Sequence, residues 1–189
     1  MLSHYVTTNS ALIYGGSFAF LSTIGILGNM MVLAAVLGSS YMHRSPTNLF
    51  LVNLAIADSL FILAHLFAWL PRFTIGTSEW VLPWELCPLT DFLLHTALYA
   101  SIFTYIAISI ERYVATVYSQ KKIGPVTGSK SDRSDEGIHR RTRRVIGICI
   151  SIWMVVSLWW APNAYATRVR EIPKMDLNNH HSRVMCTAH

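Results

Sequence analysis

A few polar residues interrupt long apolar runs in this 189-residue sequence, and chemistry could reside there. Asp58 is the single acid between Leu49 and Leu70, Asn29 lies in the uncharged run from Ala11 to Leu37, and Ser101 lies between Phe92 and Ile110, which Glu111-Arg112 closes. If such runs cross lipid, an unsatisfied ionisable group costs at least about 2.5 kcal/mol, so each marks a pairing site or a pathway. Asp58 and Ser101 offer carboxylate and hydroxyl oxygens, the donors of a hard cation, although two ligands leave waters or other helices to complete the shell. Glu111 and Arg112 can form a partly desolvated pair, costly to break and so usable as a switch. The alternative is a boundary arginine that snorkels beside an acid.

Other constellations lead nowhere. His180, His181, Cys186 and His189 follow His-His-x4-Cys-x2-His, which is not a zinc-ligand spacing. Gly124 to Lys130 resembles a phosphate loop, but its Gly-Ser-Lys order is wrong and no strand precedes it, so it reads as linker. No Ser/His/Asp or Cys/His set is placed to share a water-accessible cleft. Catalytic residues are therefore not expected, and neither is an enzyme.

The elements that must position the polar groups follow from composition. Hydrophobic residues make up 52% of the sequence and charged residues only 13%, with a mean hydropathy of +0.39, which excludes a soluble domain and a disordered chain alike. The net charge of +5 does not indicate nucleic acid, because nine of fifteen Lys and Arg residues fall between Arg112 and Arg144, flanked by uncharged runs. The fold class is an all-α membrane protein with four transmembrane helices, at about 11–37, 46–70, 87–118 and 142–161. Open sheets cannot cross lipid, and no run alternates like a barrel strand. Ala11 to Leu37 is about twice the length of a signal-peptide core and lacks a basic leader, so it reads as a span. The fourth run stops at Pro162 and is the shortest.

Counting Lys and Arg sets the orientation. The segments before Ala11, from Pro71 to Asp91 and after Pro162 carry five; those from Gly38 to Asn48 and from Arg112 to Arg144 carry ten. The excess belongs in the cytosol, which puts residues 1–10 outside, a long second inner loop at 119–141, and a final outer loop at 162–189. Cys149 sits near the cytosolic end of the fourth helix, while Cys87 and Cys186 both fall outside, either as a disulfide or as two unpaired thiols. Measured along helices from the cytosolic side, Asn29, Asp58 and Ser101 sit at about 12, 14 and 15 Å. A shared depth is what one polar cluster requires; the alternative is three unrelated helix-packing polars.

Taken together, these residues resemble the first half of a rhodopsin-like (class A) G-protein-coupled receptor. The resemblance rests on Gly28-Asn29, Asn53-Leu54-Ala55-Ile56-Ala57-Asp58, Glu111-Arg112-Tyr113, Cys87 standing 25 residues before Arg112, Trp80 seven before Cys87, and Trp153 with Pro162. Ser101-Ile102-Phe103-Thr104, Glu111 through Ser119, Trp80-Val81-Leu82 and Thr47-Asn48-Leu49-Phe50 are most similar to galanin and allatostatin-A type neuropeptide receptors. Leu94 stands where amine receptors carry an acid, which disfavours a charged-amine ligand.

The resemblance implies a role for each position. Asn29, Asp58 and Ser101 would form an inner pocket for water and an allosteric sodium ion, the only cofactor implied. Cys87 and Cys186 would form a disulfide, and Arg112, restrained by Glu111 and followed by Tyr113, would contact the G protein. His65, Trp69, Leu94, His95 and Tyr99 are the ligand-binding candidates, with helix packing as their alternative. The implied partners are an extracellular peptide, a heterotrimeric G protein and the lipid bilayer, with no nucleic acid, in a multi-pass plasma-membrane protein whose N-terminus is extracellular.

Several positions depart from the family pattern. Phe67 replaces a helix-two proline, with Pro71 nearby, Pro83 replaces a glycine, and the second inner loop is over a dozen residues longer than usual. The pattern also implies three further helices. Two other readings stand beside the receptor: a truncated non-signalling form that associates with full-length receptor and retains it in the endoplasmic reticulum, and a four-helix transporter or channel, which does not explain the Cys87 and Trp80 spacing.

Overall fold

Within hydrocarbon no water satisfies backbone N–H and C=O groups, so a run of apolar residues closes its own ladder as a helix. The computed structural model describes residues 2–39, 45–75, 80, 82–121, 131–173 and 182–187. It contains helices α1 (Leu2–Gly38), α2 (Pro46–Ile75), α3 (Leu86–Lys121) and α4 (Ser131–Ala166), then strands β1 (Arg168–Pro173) and β2 (Ser182–Thr187). Each helix holds a stretch long and apolar enough to cross a bilayer: Ile13–Gly38, Thr47–Phe73, Leu86–Val117 and His139–Ala166. The membrane part is all-α, as the composition requires.

The helices overrun the apolar runs that mark them. Most of residues 1–10, read as a terminal segment, belongs to α1; α2 passes through Pro71 and α4 through Pro162. The fourth helix begins at Ser131, so the loop expected over 119–141 is mostly helix, and its linker portion, 122–130, lies outside the described residues. Hydropathy registers where hydrocarbon ends, whereas the hydrogen-bonded ladder continues into water until something breaks it. Each proline gives up its own N–H bond and crowds the carbonyl four residues back, but it stands in the last turns of its helix, so only four helical residues follow it.

Consecutive helices pack against one another, and α2 also touches α4. Their seams are lined by small residues: Ala57 and Ala100 are fully buried, and Ala55 and Ala97 nearly so. At α1, a Cβ added to Gly15 would lie 3.0 Å from the Phe73 Cβ, so glycine there allows α1 to approach α2 closely. The outside of the bundle is apolar. Trp159 and Leu158 are 75% and 68% exposed and Met31 70%, a surface that suits lipid and not water.

After α4 the chain turns into a two-stranded antiparallel hairpin in which Arg168 pairs with Thr187 and Val169 with Cys186. The sequence predicts an outer loop over 162–189, and the hairpin lies within it. Six-residue strands carrying mixed charged and apolar residues give too little alternation to register.

Candidate functional site

Polar contacts between the helices lie at successive depths, from the end bearing Glu111 to the end bearing Cys87. At the first, the Thr47 hydroxyl of α2 donates to Glu111 Oε2 of α3 at 2.7 Å. The expected Glu111–Arg112 pair is not formed: among the described residues no ion pair joins them, and Arg112 and Tyr113 are exposed. Neighbours on a helix point about 100° apart, so an acid turned toward α2 carries its adjacent arginine away from itself.

One level further in, Asn53 of α2 joins three helices. Its Nδ2 donates to Thr104 Oγ1 of α3 at 2.8 Å, its Oδ1 accepts from Trp153 Nε1 of α4 at 2.9 Å, and the Thr104 hydroxyl in turn donates to the Ala100 carbonyl at 2.7 Å. Asn53 and Thr104 are both buried. Motif spacing singled out Asn53 and Trp153, but nothing in the sequence said that they meet.

At mid-depth Ser101 Oγ donates to Asp58 Oδ1 at 2.6 Å, the length of a charge-assisted hydrogen bond. Ser101 is 7% exposed. The structure thus brings together two of the three groups expected to share a depth. Asn29, on α1 and half-buried, makes no hydrogen bond among the described residues, so direct contact does not draw it into the pair. The pair presents a carboxylate and a hydroxyl, oxygen donors that suit a hard cation; no cluster of three His, Cys, Asp or Glu side chains able to hold a metal occurs among the described residues.

Toward the Cys87 end the five ligand candidates separate into two groups and a remainder. His65 packs its ring at 6.1 Å from Phe18 and 4.8 Å from Phe61, and Trp69 stacks at 6.1 Å on Phe73 while the Arg72 guanidinium lies 4.9 Å from its ring centre. Across the bundle His95 stacks on Trp160 at 4.1 Å, with Tyr99 at 5.9 Å from the same indole. Leu94 is half-buried. His65, Trp69, His95 and Tyr99 all spend part of their ring surface on packing, the alternative weighed for them.

Asp91, one helical turn before His95, was not singled out from sequence. Its Oδ2 accepts from Trp160 Nε1 and from the Thr167 hydroxyl, each at 3.2 Å, and its Oδ1 lies 3.3 Å from His95 Nδ1. The available signal was an acid inside the first turns of an apolar helix, four residues from a histidine. One turn earlier Cys87, fully buried, is bonded to Cys186 of β2 with the Cα atoms 5.7 Å apart. Trp80 braces the approach to α3: its Nε1 donates to the Pro83 carbonyl at 3.3 Å, and the Leu86 amide shares that carbonyl at 3.1 Å.

Four membrane-length helices, a disulfide tying the start of the third to the loop after the fourth, and a serine–aspartate bond between the second and third describe a multi-helix membrane protein. Residues 28–130, over half of the chain, match the 7 transmembrane receptor (rhodopsin family), and the chain belongs to that family. Neuropeptide receptor 15 of Caenorhabditis elegans is 39% identical over 100 residues, covering 53% of this chain and 29% of that protein. Galanin receptor 2a of Danio rerio is 38% identical over 102 residues, covering 53% and 27%. Cysteinyl leukotriene receptor 1 of Mus musculus is 31% identical over 153 residues, covering 79% and 38%. These relatives are receptors and not enzymes, and the chain spans less than half of their length.

Proposed function

We propose that the chain supplies four helices of a peptide-gated receptor at the plasma membrane that promotes nucleotide exchange on a heterotrimeric G protein. Its N-terminus and hairpin face outside and its Arg112 to Arg144 region faces the cytosol. The peptide reading is carried by one observation: two of the relatives are named for peptides, a neuropeptide receptor and a galanin receptor. The orientation is supported by the charge asymmetry, ten basic residues against five.

In this reading the Cys87 end receives the ligand, with His65, Trp69, Leu94, His95 and Tyr99 as contacts. Asp58 and Ser101, with Asn29 at similar depth, would hold a sodium ion that favours the resting arrangement. Arg112, unpaired with Glu111, is available to the transducer. A ligand acts by binding one arrangement of the bundle more tightly than the other, and the balance shifts by that difference in affinity.

The test is a chimera in which this chain replaces the matching helices of the Danio rerio galanin receptor 2a. Surface-expressed chimera should stimulate nucleotide exchange with at least one member of a panel of amidated neuropeptides. A chimera that reaches the surface and responds to none of them refutes the peptide reading.

A further inference from the structure

We propose that the Arg72 guanidinium, at the Cys87 end of α2, receives a carboxylate carried by the extracellular ligand. Arg72 stands in the last turn of α2, and its guanidinium carbon lies 4.9 Å from the ring centre of Trp69 and 5.2 Å from that of Trp80. Both indoles are held from elsewhere: Trp69 stacks on Phe73, and Trp80, 8% exposed, donates its Nε1 to the Pro83 carbonyl. Ring faces attract the cation without accepting its N–H groups in conventional hydrogen bonds, so the donor fork stays open. Among the described residues no acid pairs with Arg72 and no acceptor bonds it.

The guanidinium is half-buried, and of its nitrogens only Nε is sealed from water without a partner. A snorkelling arginine carries all of its donors to water, and the buried Nε sets this one apart. Burial strips part of the cation's hydration before any ligand arrives, and a charge so placed calls for a counterion. The terminal nitrogens remain accessible, and a planar carboxylate matches them with two parallel hydrogen bonds. Trp69 already stands among the expected ligand contacts, and Arg72 follows it by three residues, on the same side of the helix. The inference deepens the receptor reading by naming one chemical group of the ligand, and it rests on that reading only for the ligand's being extracellular.

The chain in phosphatidylcholine nanodiscs is titrated with N-trifluoroacetyl-phenylalanine, whose carboxylate ends a chain, with N-trifluoroacetyl-aspartic acid α-amide, whose carboxylate is a side chain, and with N-trifluoroacetyl-phenylalanine amide, which has none. Binding is read from the fluorine resonance of each probe and from the Arg72 Nε–H cross-peak, assigned by its loss in Arg72→Gln. At least one acid should bind about tenfold or more tightly than the amide and move that cross-peak, and the acid that does so tells a ligand's C-terminus from an acidic side chain. Arg72→Gln and Arg72→Lys should each weaken that acid by about tenfold or more and leave the amide as it was. Arg72→Lys keeps the charge, so its loss reports the fork and decides the matter should Arg72→Gln fail to fold. Acids that bind no better than the amide, undiminished binding in Arg72→Lys, or an equal response to inorganic sulfate would each overturn the carboxylate site. Both faces of the disc are open to the probes, so a reversed orientation leaves these outcomes intact, and failure of the peptide reading shows in the chimera instead.

Discussion

Asn53 is the group whose removal should be felt on three helices at once. Substitution by leucine, of similar size, deletes the acceptor of the Trp153 indole and the donor to the Thr104 hydroxyl, two bonds of 2.9 and 2.8 Å, while Thr104 keeps its bond to the Ala100 carbonyl. Side-chain hydrogen bonds between membrane helices average about 0.6 kcal/mol and reach about 1.7, so the two together give ~1.2 to ~3.4 kcal/mol. That is about sevenfold to about three-hundred-fold in the folding equilibrium. The assay is reversible unfolding in mixed detergent micelles, followed by far-ultraviolet circular dichroism. The sharper reading comes from a double-mutant cycle. Trp153→Phe should cost about 0.6 kcal/mol or more above its cost when Asn53→Leu is already present, because the lost packing is common to both backgrounds and only the natural chain also loses the indole–amide bond. If Trp153→Phe costs the same in both backgrounds, the indole–amide bond contributes nothing and the three-helix node is refuted.

Reduction of the Cys87–Cys186 bond, which closes a loop of 99 residues, should lower thermal stability and open the hairpin to protease while the membrane spans stay protected; unchanged cleavage would show the hairpin held without it. Thr47→Val should speed amide exchange at the start of α2, at a cost of about 1.5–3 kcal/mol for a bond to a charged group, and identical exchange would count against the Thr47–Glu111 contact. Replacing a bulky organic cation by sodium should raise the melting temperature of the natural chain and not of Asp58→Asn, and equal responses would remove Asp58 from any cation site. An Asn-x-Thr acceptor engineered into 174–181 should be glycosylated in microsomes and one in 122–130 should not; the reverse pattern would invert the proposed orientation.

Much of this architecture was legible because lipid imposes few solutions. Long apolar runs located all four helices, and depth along the helices brought Asp58 and Ser101 to the same level, where they are bonded. The same arithmetic placed Asn29 at that height, yet it makes no hydrogen bond among the described residues. Rise along an axis gives one coordinate, and the direction a side chain faces depends on how helices rotate against each other. The Glu111–Arg112 expectation missed for the same reason: adjacency in sequence is divergence around a helix. Asn53, Thr104 and Trp153 come from three separate runs, so their meeting is a property of packing alone. Asp91 was passed over because an acid near a helix end looks like a water-facing residue until the next helix supplies an indole and a hydroxyl to it.

Cys87 and Asp91 stand four residues apart, on one face of a single turn of α3. The first is covalently joined to Cys186, and the second holds Thr167, the residue just before β1; Cys186 pairs with Val169, so both fastenings grip the root of the hairpin, at the end away from Pro173 and Ser182. The hairpin is thereby coupled at two points to a single turn of α3. Ser101, Thr104 and Glu111 stand on the same helix, so the element that anchors the hairpin also carries the three side-chain hydrogen bonds described between α3 and α2.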